Sequence, residues 1–180
     1  MLNDGYQLIH NKNYPNITEN FAHSIKEGFN FISDKDEHGI LMSIKIGKFG
    51  RKIANSISEI AGLLDKKEFN IIIDEVLLGD ESLKNDVETL SQSIVYFVAV
   101  YCDNKTLEER EILRGDRLIG SGRDQINRCH GSTRKYDIEV DTTHHSSFDC
   151  AKQILNFINK ENDPKGFKIL KDIFFKNNSR

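Results

Sequence analysis

Arg110, Arg114 and Arg117 stand four and three residues apart within the stretch from Leu107 to Cys150. On a continuous helix that spacing puts all three on one face. Three guanidinium groups so placed can grip a triphosphate and neutralise charge developing on a phosphoryl group in transfer. Gly115, Gly120 and Gly122 interrupt the same stretch, so it could hinge over a ligand as a lid, and Arg123 and Arg128 continue the basic run. The rival reading is a solvated helix in which Glu108, Glu109 and Glu111 pair with these arginines.

Two further places offer chemistry. Asp74 follows the apolar run Ile71–Ile73, where a carboxylate at the end of a parallel strand can hold a magnesium-bound water beside phosphates. Asp141, Thr142 and Thr143 follow Tyr136–Val140 at another strand end, where a nucleotide base or ribose could be contacted; the alternative is a strand-to-helix turn that caps the next helix. His144 and His145 are adjacent and lack a third ligand at metal spacing. A phosphate loop, G-x-x-x-x-G-K-[ST], is absent. The nearest approach, Gly47-Lys48, has Met42 at the leading glycine and Phe49 at the hydroxyl position.

The elements that must position these residues alternate. Gly39–Ile46 has strand composition, and Ile53, Ile57, Ile60, Ala61 and Leu64 recur at helical period, predicting a helix with that stripe on a core. Continuous apolarity in Ile71–Ile73 with Val76–Leu78, and again in Ile94–Cys102, predicts strands covered on both faces, as in parallel sheets. Asp86–Ser93 reads as a helix, and Tyr136–Val140 as a third strand. Thr106 with Glu109, and Ser146 with Asp149, are spaced as capping boxes for the helices that follow. The second of these helices buries Ala151, Ile154, Leu155 and Ile158. Beyond Pro164 a last amphipathic segment carries Phe167, Leu170, Ile173 and Phe174. The fold class is α/β, a right-handed and mostly parallel sheet with helices on both faces.

With 180 residues, 38% of them hydrophobic, the chain suits one globular domain with a sizeable core. A net charge of -3 supplies no basic field for nucleic acid. Cys102, Cys129 and Cys150 are too scattered for a disulfide framework, which reads as a reducing cytoplasm. No apolar run approaches the roughly 18 residues that would span a bilayer.

Taken in order, IIIDEVLLG, VYCDNKTLEEREILRGDRLIGSG and YDIEVDTTHHSSFDCA resemble the chloramphenicol 3-O-phosphotransferase family of P-loop kinases, from about Gly39 to about Ile158. The resemblance implies a P-loop kinase-like sheet of five parallel strands, with ATP and Mg2+ as cofactors and the hydroxyl of a small molecule as phosphoryl acceptor. It implies that Asp74 closes the Walker B strand, that Arg114 and Arg117 belong to the nucleotide-contacting lid at about 107–130, and that Ile17–Lys48 lines the acceptor pocket. Asp4, ahead of Tyr6, Leu8, Ile9 and Pro15, matches the family's general base, which takes the acceptor's proton as it attacks. Arg110, Asp141 and Thr142 join the expected nucleotide site. With Asp4 as base, the family's first, central strand and its phosphate loop are missing. Residues 1–158 are then a truncated kinase-like domain and 159–180 a helical tail, and such a chain is an impaired phosphotransferase. The rival expectations are a catalytically silent binding module and a protein that self-associates through its incomplete sheet.

Overall fold

A computed structural model describes residues 27–115 and 118–176. Asp4, Arg117 and the short segment around Tyr6 lie outside the described residues. The chain divides into two compact units, each assembled from two separate stretches.

The first unit holds described residues up to Ala54 together with those from Leu107 to Arg128. Its sheet is a hairpin of β1 (Phe29–Asp36) and β2 (Gly39–Ile46), paired antiparallel from Phe29↔Ile46 to Asp36↔Gly39. The tight reversal is set by Gly39 at φ 118°, a conformation that disfavours a side chain. The predicted strand at Gly39–Ile46 is therefore present, but with an antiparallel neighbour. Helix α1 (Lys48–Asp65) follows β2 and runs from this unit into the second. Its predicted apolar stripe does not sit on a core among the described residues: Ala61 is buried, whereas Ile53 and Ile60 are 47% and 57% exposed.

The second unit contains Asn55–Thr106 and the described residues from Cys129 onward. Helix α2 (Asp80–Thr89) supplies Leu83 and Val87 to its core, and helix α6 (Gly166–Phe175) supplies Leu170. Leu77, Phe97, Phe167, Phe174 and Phe175 pack around those three. Beside them β3 (Val98–Tyr101) pairs in parallel with β4 (Ile138–Asp141), and helix α5 (Ser147–Ile158) packs on β4. The expected parallel α/β character thus survives as a two-stranded sheet among the described residues, in a mixed α/β chain.

Residues 70–78 correct the expectation most sharply, because no strand forms there. A strand is defined by its ladder, and among the described residues none engages this segment. Ile72 is 97% exposed, so the apolar run lacks the two covering faces that its composition implies. The strand predicted over Ile94–Cys102 shrinks to Val98–Tyr101 for the same reason.

Local chemistry fixes the helix starts. Asp103 accepts from the backbone N–H of Thr106 at 2.7 Å and from its hydroxyl at 3.1 Å, so helix α3 (Asn104–Arg114) begins ahead of the predicted Thr106 cap. Ser146 accepts from the Asp149 N–H at 3.1 Å, as its spacing predicts. Helix α5 nonetheless buries Cys150 rather than the expected stripe, with Leu155 58% exposed. At α6 a distant residue does the capping. One Asp137 oxygen accepts the N–H groups of Lys165 at 2.6 Å and Gly166 at 2.8 Å, while the other accepts that of Phe97 at 2.8 Å. A Cβ on Gly166 would lie 2.5 Å from the Lys135 carbonyl oxygen, so only glycine admits this close approach.

Leu170 is fully buried between α6 and α2, so Leu170→Ala should destabilise the protein by about 2–5 kcal/mol. Leu155→Ala on the exposed face of α5 should change stability by no more than about 0.5 kcal/mol. Denaturant unfolding of both variants checks the contrast.

Candidate phosphate-contacting face

The arginine face is built on α3, where Arg110 and Arg114 lie one helical turn apart and are both exposed. Behind it the helix carries Glu111, which is only 6% exposed. Its carboxylate accepts the N–H of Gly120 at 2.8 Å, the N–H of Gly122 at 2.6 Å and the hydroxyl of Ser121 at 2.8 Å. These groups open helix α4 (Ser121–Cys129), so an internal carboxylate fills the anion position that a helix N-terminus offers. The glycines of this turn are therefore tied down rather than poised as free hinges. Gly120 has φ 86°, and a Cβ there would meet the Ile40 carbonyl oxygen at 2.1 Å.

Arg123 is equally engaged. Its Nε and Nη2 fork onto the Asp36 carboxylate at 3.1 and 3.0 Å, Nη2 also donates to the Ile40 carbonyl at 2.8 Å, and Nη1 pairs with Glu108. The paired carboxylates push the guanidinium further above its ordinary pKa. Desolvation raises the Asp36 carboxyl, but the bonds from Arg123 and the His38 N–H outweigh it and hold Asp36 below the usual range. Further along α4, Asp124 accepts from the Ser43 hydroxyl at 2.8 Å, and Arg128 donates to Asp124 and to the Ile44 carbonyl. The rival reading pairs Glu108, Glu109 and Glu111 with the arginines of this stretch: Glu108 does pair with Arg123, whereas Glu111 serves a loop.

In the second unit Asp74 is exposed on the strandless segment, and its neighbour Glu75 is partly buried. Burial, reinforced by the nearby Asp86, pushes the Glu75 carboxyl up to about 7. Asp86 is itself raised by burial, against the opposing bonds from Ser58 and Asn85. At the end of β4 the Thr142 hydroxyl and N–H both donate to the Tyr101 carbonyl, at 3.0 and 2.8 Å. Asp141 accepts the Thr143 N–H at 2.8 Å, and the Thr143 side chain and backbone hold its carboxyl below the usual range. Arg110 and Arg114 thus belong to the first unit, and Asp74, Asp141 and Thr142 to the second.

The YD-x-EVDT motif proves largely architectural in its first half. Asp137 is the α6 cap already described. The Tyr136 ring lies 4.5 Å from that of Phe97, its hydroxyl donates to the Cys129 carbonyl at 3.1 Å, and it meets His130 Nδ1 at 2.8 Å. Desolvation chiefly pushes its phenol up to about 12. Among the described residues no group of three or more His, Cys, Asp or Glu could hold a metal ion, and no helix is long and apolar enough to cross a membrane.

Residues 22–159 match the sequence description of the chloramphenicol phosphotransferase-like proteins. The chain belongs to that family. No curated protein matches it. Membership implies a P-loop kinase-like fold and, at family level, a kinase-like phosphotransferase. The matched region takes in α3, α4 and β4, while α6 lies beyond it.

Sequence reasoning missed Glu111 and Arg123 as the braces of this face. Their partners lie 9 to 11 and 15 to 87 residues away, and no local spacing pattern encodes such contacts. The raised Glu75 carboxyl gives a test in the second unit. A group whose folded pKa exceeds its unfolded value stabilises the fold below the unfolded value of 4.5, and that contribution is lost as pH rises through about 7. Glu75→Gln should therefore be more stable than the wild type at pH 8, by on the order of 1 kcal/mol after solvent screening, with the gap closing toward pH 4.5. Thermal unfolding across that pH range measures it.

Proposed function

We propose that the protein is an ATP-dependent phosphotransferase acting on the hydroxyl of a small molecule, with the α3 arginine face as its phosphate grip. The observation that carries this reading is the construction of the face. Arg110 and Arg114 stand exposed on one side of α3, while Glu108 and Glu111 on the same helix fasten it to its neighbours. A helix fastened this way carries its arginines on a fixed frame, and positioning with charge neutralisation is what lowers the barrier to phosphoryl transfer.

In this proposal Arg114 and Arg117 cover the transferred phosphoryl group, with Arg117 stabilising its developing charge, and Arg110 contacts the nucleotide. Asp4 accepts the acceptor's proton. Asp141 and Thr142 face the nucleotide base or ribose, where Thr142 would exchange its bond to the Tyr101 carbonyl for one to the ligand. Magnesium keeps most of its waters and takes one or two carboxylates besides phosphate oxygens, a demand that exposed Asp74 can meet through water. The ion would neutralise charge on the phosphates.

The second reading is a binding module of the same fold that does not turn over. The observation that favours it is the exposure of Ile71–Ile73 beside Asp74, which leaves that carboxylate on a segment without a strand ladder among the described residues. Isothermal titration with Mg-ATP, followed by an assay for transfer of the γ-phosphate to chloramphenicol and a panel of hydroxyl compounds, separates the two. The phosphotransferase reading expects binding with transfer, and binding without transfer identifies the module. Arg114→Gln and Arg110→Gln should each weaken Mg-ATP by about tenfold, the loss of one charge-assisted contact. No heat of binding from the wild type would sink the nucleotide site itself.

A further inference from the structure

The β1–β2 hairpin and the arginine-bearing helices are distant in sequence yet belong to one compact unit. Their joint is a line of polar bonds along β2. The Met42 N–H donates to the Gly120 carbonyl at 3.3 Å, the Ser43 hydroxyl to Asp124 at 2.8 Å, and Arg128 to the Ile44 carbonyl at 2.9 Å. At the head of this line stands Arg123, whose side chain is 6% exposed and which reaches three elements at once: Asp36 ending β1, Ile40 in β2 and Glu108 in α3. A buried guanidinium with its donors committed in a planar fork holds its partners in a fixed mutual geometry, and no other side chain reproduces that fork.

We infer that Arg123 is a positioning residue for the arginine face: by bolting α3 to the hairpin, it makes the hairpin's position set where Arg110 and Arg114 stand. The inference rests on reading that face as the phosphate grip. Under it the moving part is the hairpin, α4 and the Leu107–Arg114 part of α3 together, rather than a loop hinging on Gly120 and Gly122. Those two glycines are held by Glu111 and, at Gly120, by the backbone of β2. A small molecule that settles the hairpin would then settle the arginines with it, which links acceptor binding to nucleotide binding without contact between the two ligands.

Arg123→Lys keeps the charge but loses the fork, and Asp36→Asn removes the far end of the same bond from the hairpin side. Exposed Lys45→Ala on β2 is the control. In hydrogen exchange on the full chain, both test variants should speed exchange of the hairpin and of residues 107–114 together, by tenfold or more, while β3 and β4 keep their protection. Titrated with Mg-ATP below the unfolding transition, both should raise Kd at least fivefold, although Asp36 is on no arginine-bearing element. Lys45→Ala should change neither readout. Loosening of the hairpin with residues 107–114 unaffected would overturn the inference, as would exchange unchanged in both segments. Should the wild type bind no Mg-ATP, the phosphotransferase reading falls while the exchange measurement still decides whether Arg123 couples the hairpin to α3.

Discussion

Backbone N–H groups withdrawn from water must find acceptors, and in both units of this protein one carboxylate supplies them for a whole junction. In the first unit Glu111 takes two N–H groups and a hydroxyl at the entry to α4. In the second, Asp137 takes the N–H groups of Phe97, Lys165 and Gly166, joining the approach to β3 to the start of α6. An ionised carboxylate suits this task because each of its oxygens accepts more than one bond, and such charge-assisted bonds are the stronger kind. The remaining architecture hangs from these two knots. The arginine face stands on the first, and the Leu83–Val87–Leu170 core is closed through the second.

This arrangement gives the motifs a different meaning from the one their sequence suggests. Gly120 and Gly122 read as hinges of a lid, yet their N–H groups are tied to the Glu111 carboxylate. The Tyr136-Asp137 pair is an element of the family resemblance, yet it packs and caps. Arg110 and Arg114 stay exposed on the outer face of α3. Charge carried on a buried, bonded frame keeps its geometry, whereas charge on a loose helix would have to be ordered before it could serve.

How much of this was legible depended on range. The α1 helix, the Ser146 cap and the strand at Gly39–Ile46 rest on local periodicity and neighbouring hydrogen bonds, and they appear where sequence places them. The strand at 71–73 does not appear. Apolar composition states that a segment would gain from being covered, but a ladder needs a second strand at hydrogen-bonding distance, and none engages it among the described residues. Burial shows the same limit. Ile60 and Leu155 occupy the stripes that helical period assigns to a core, yet they are 57% and 58% exposed.

By itself the sequence determined the family, the mixed α/β character and the pairing of Arg110 with Arg114 on one helical face, because motif order and helical period are properties of neighbouring residues. Only the tertiary structure decided that Glu108 serves Arg123 and Glu111 the Gly120 turn. It alone revealed that Asp36, 87 residues before Arg123, anchors the guanidinium behind that face. A carboxylate pairs with whichever donor folding brings within about 3 Å in a site shielded from water, and separation along the chain has no part in that choice.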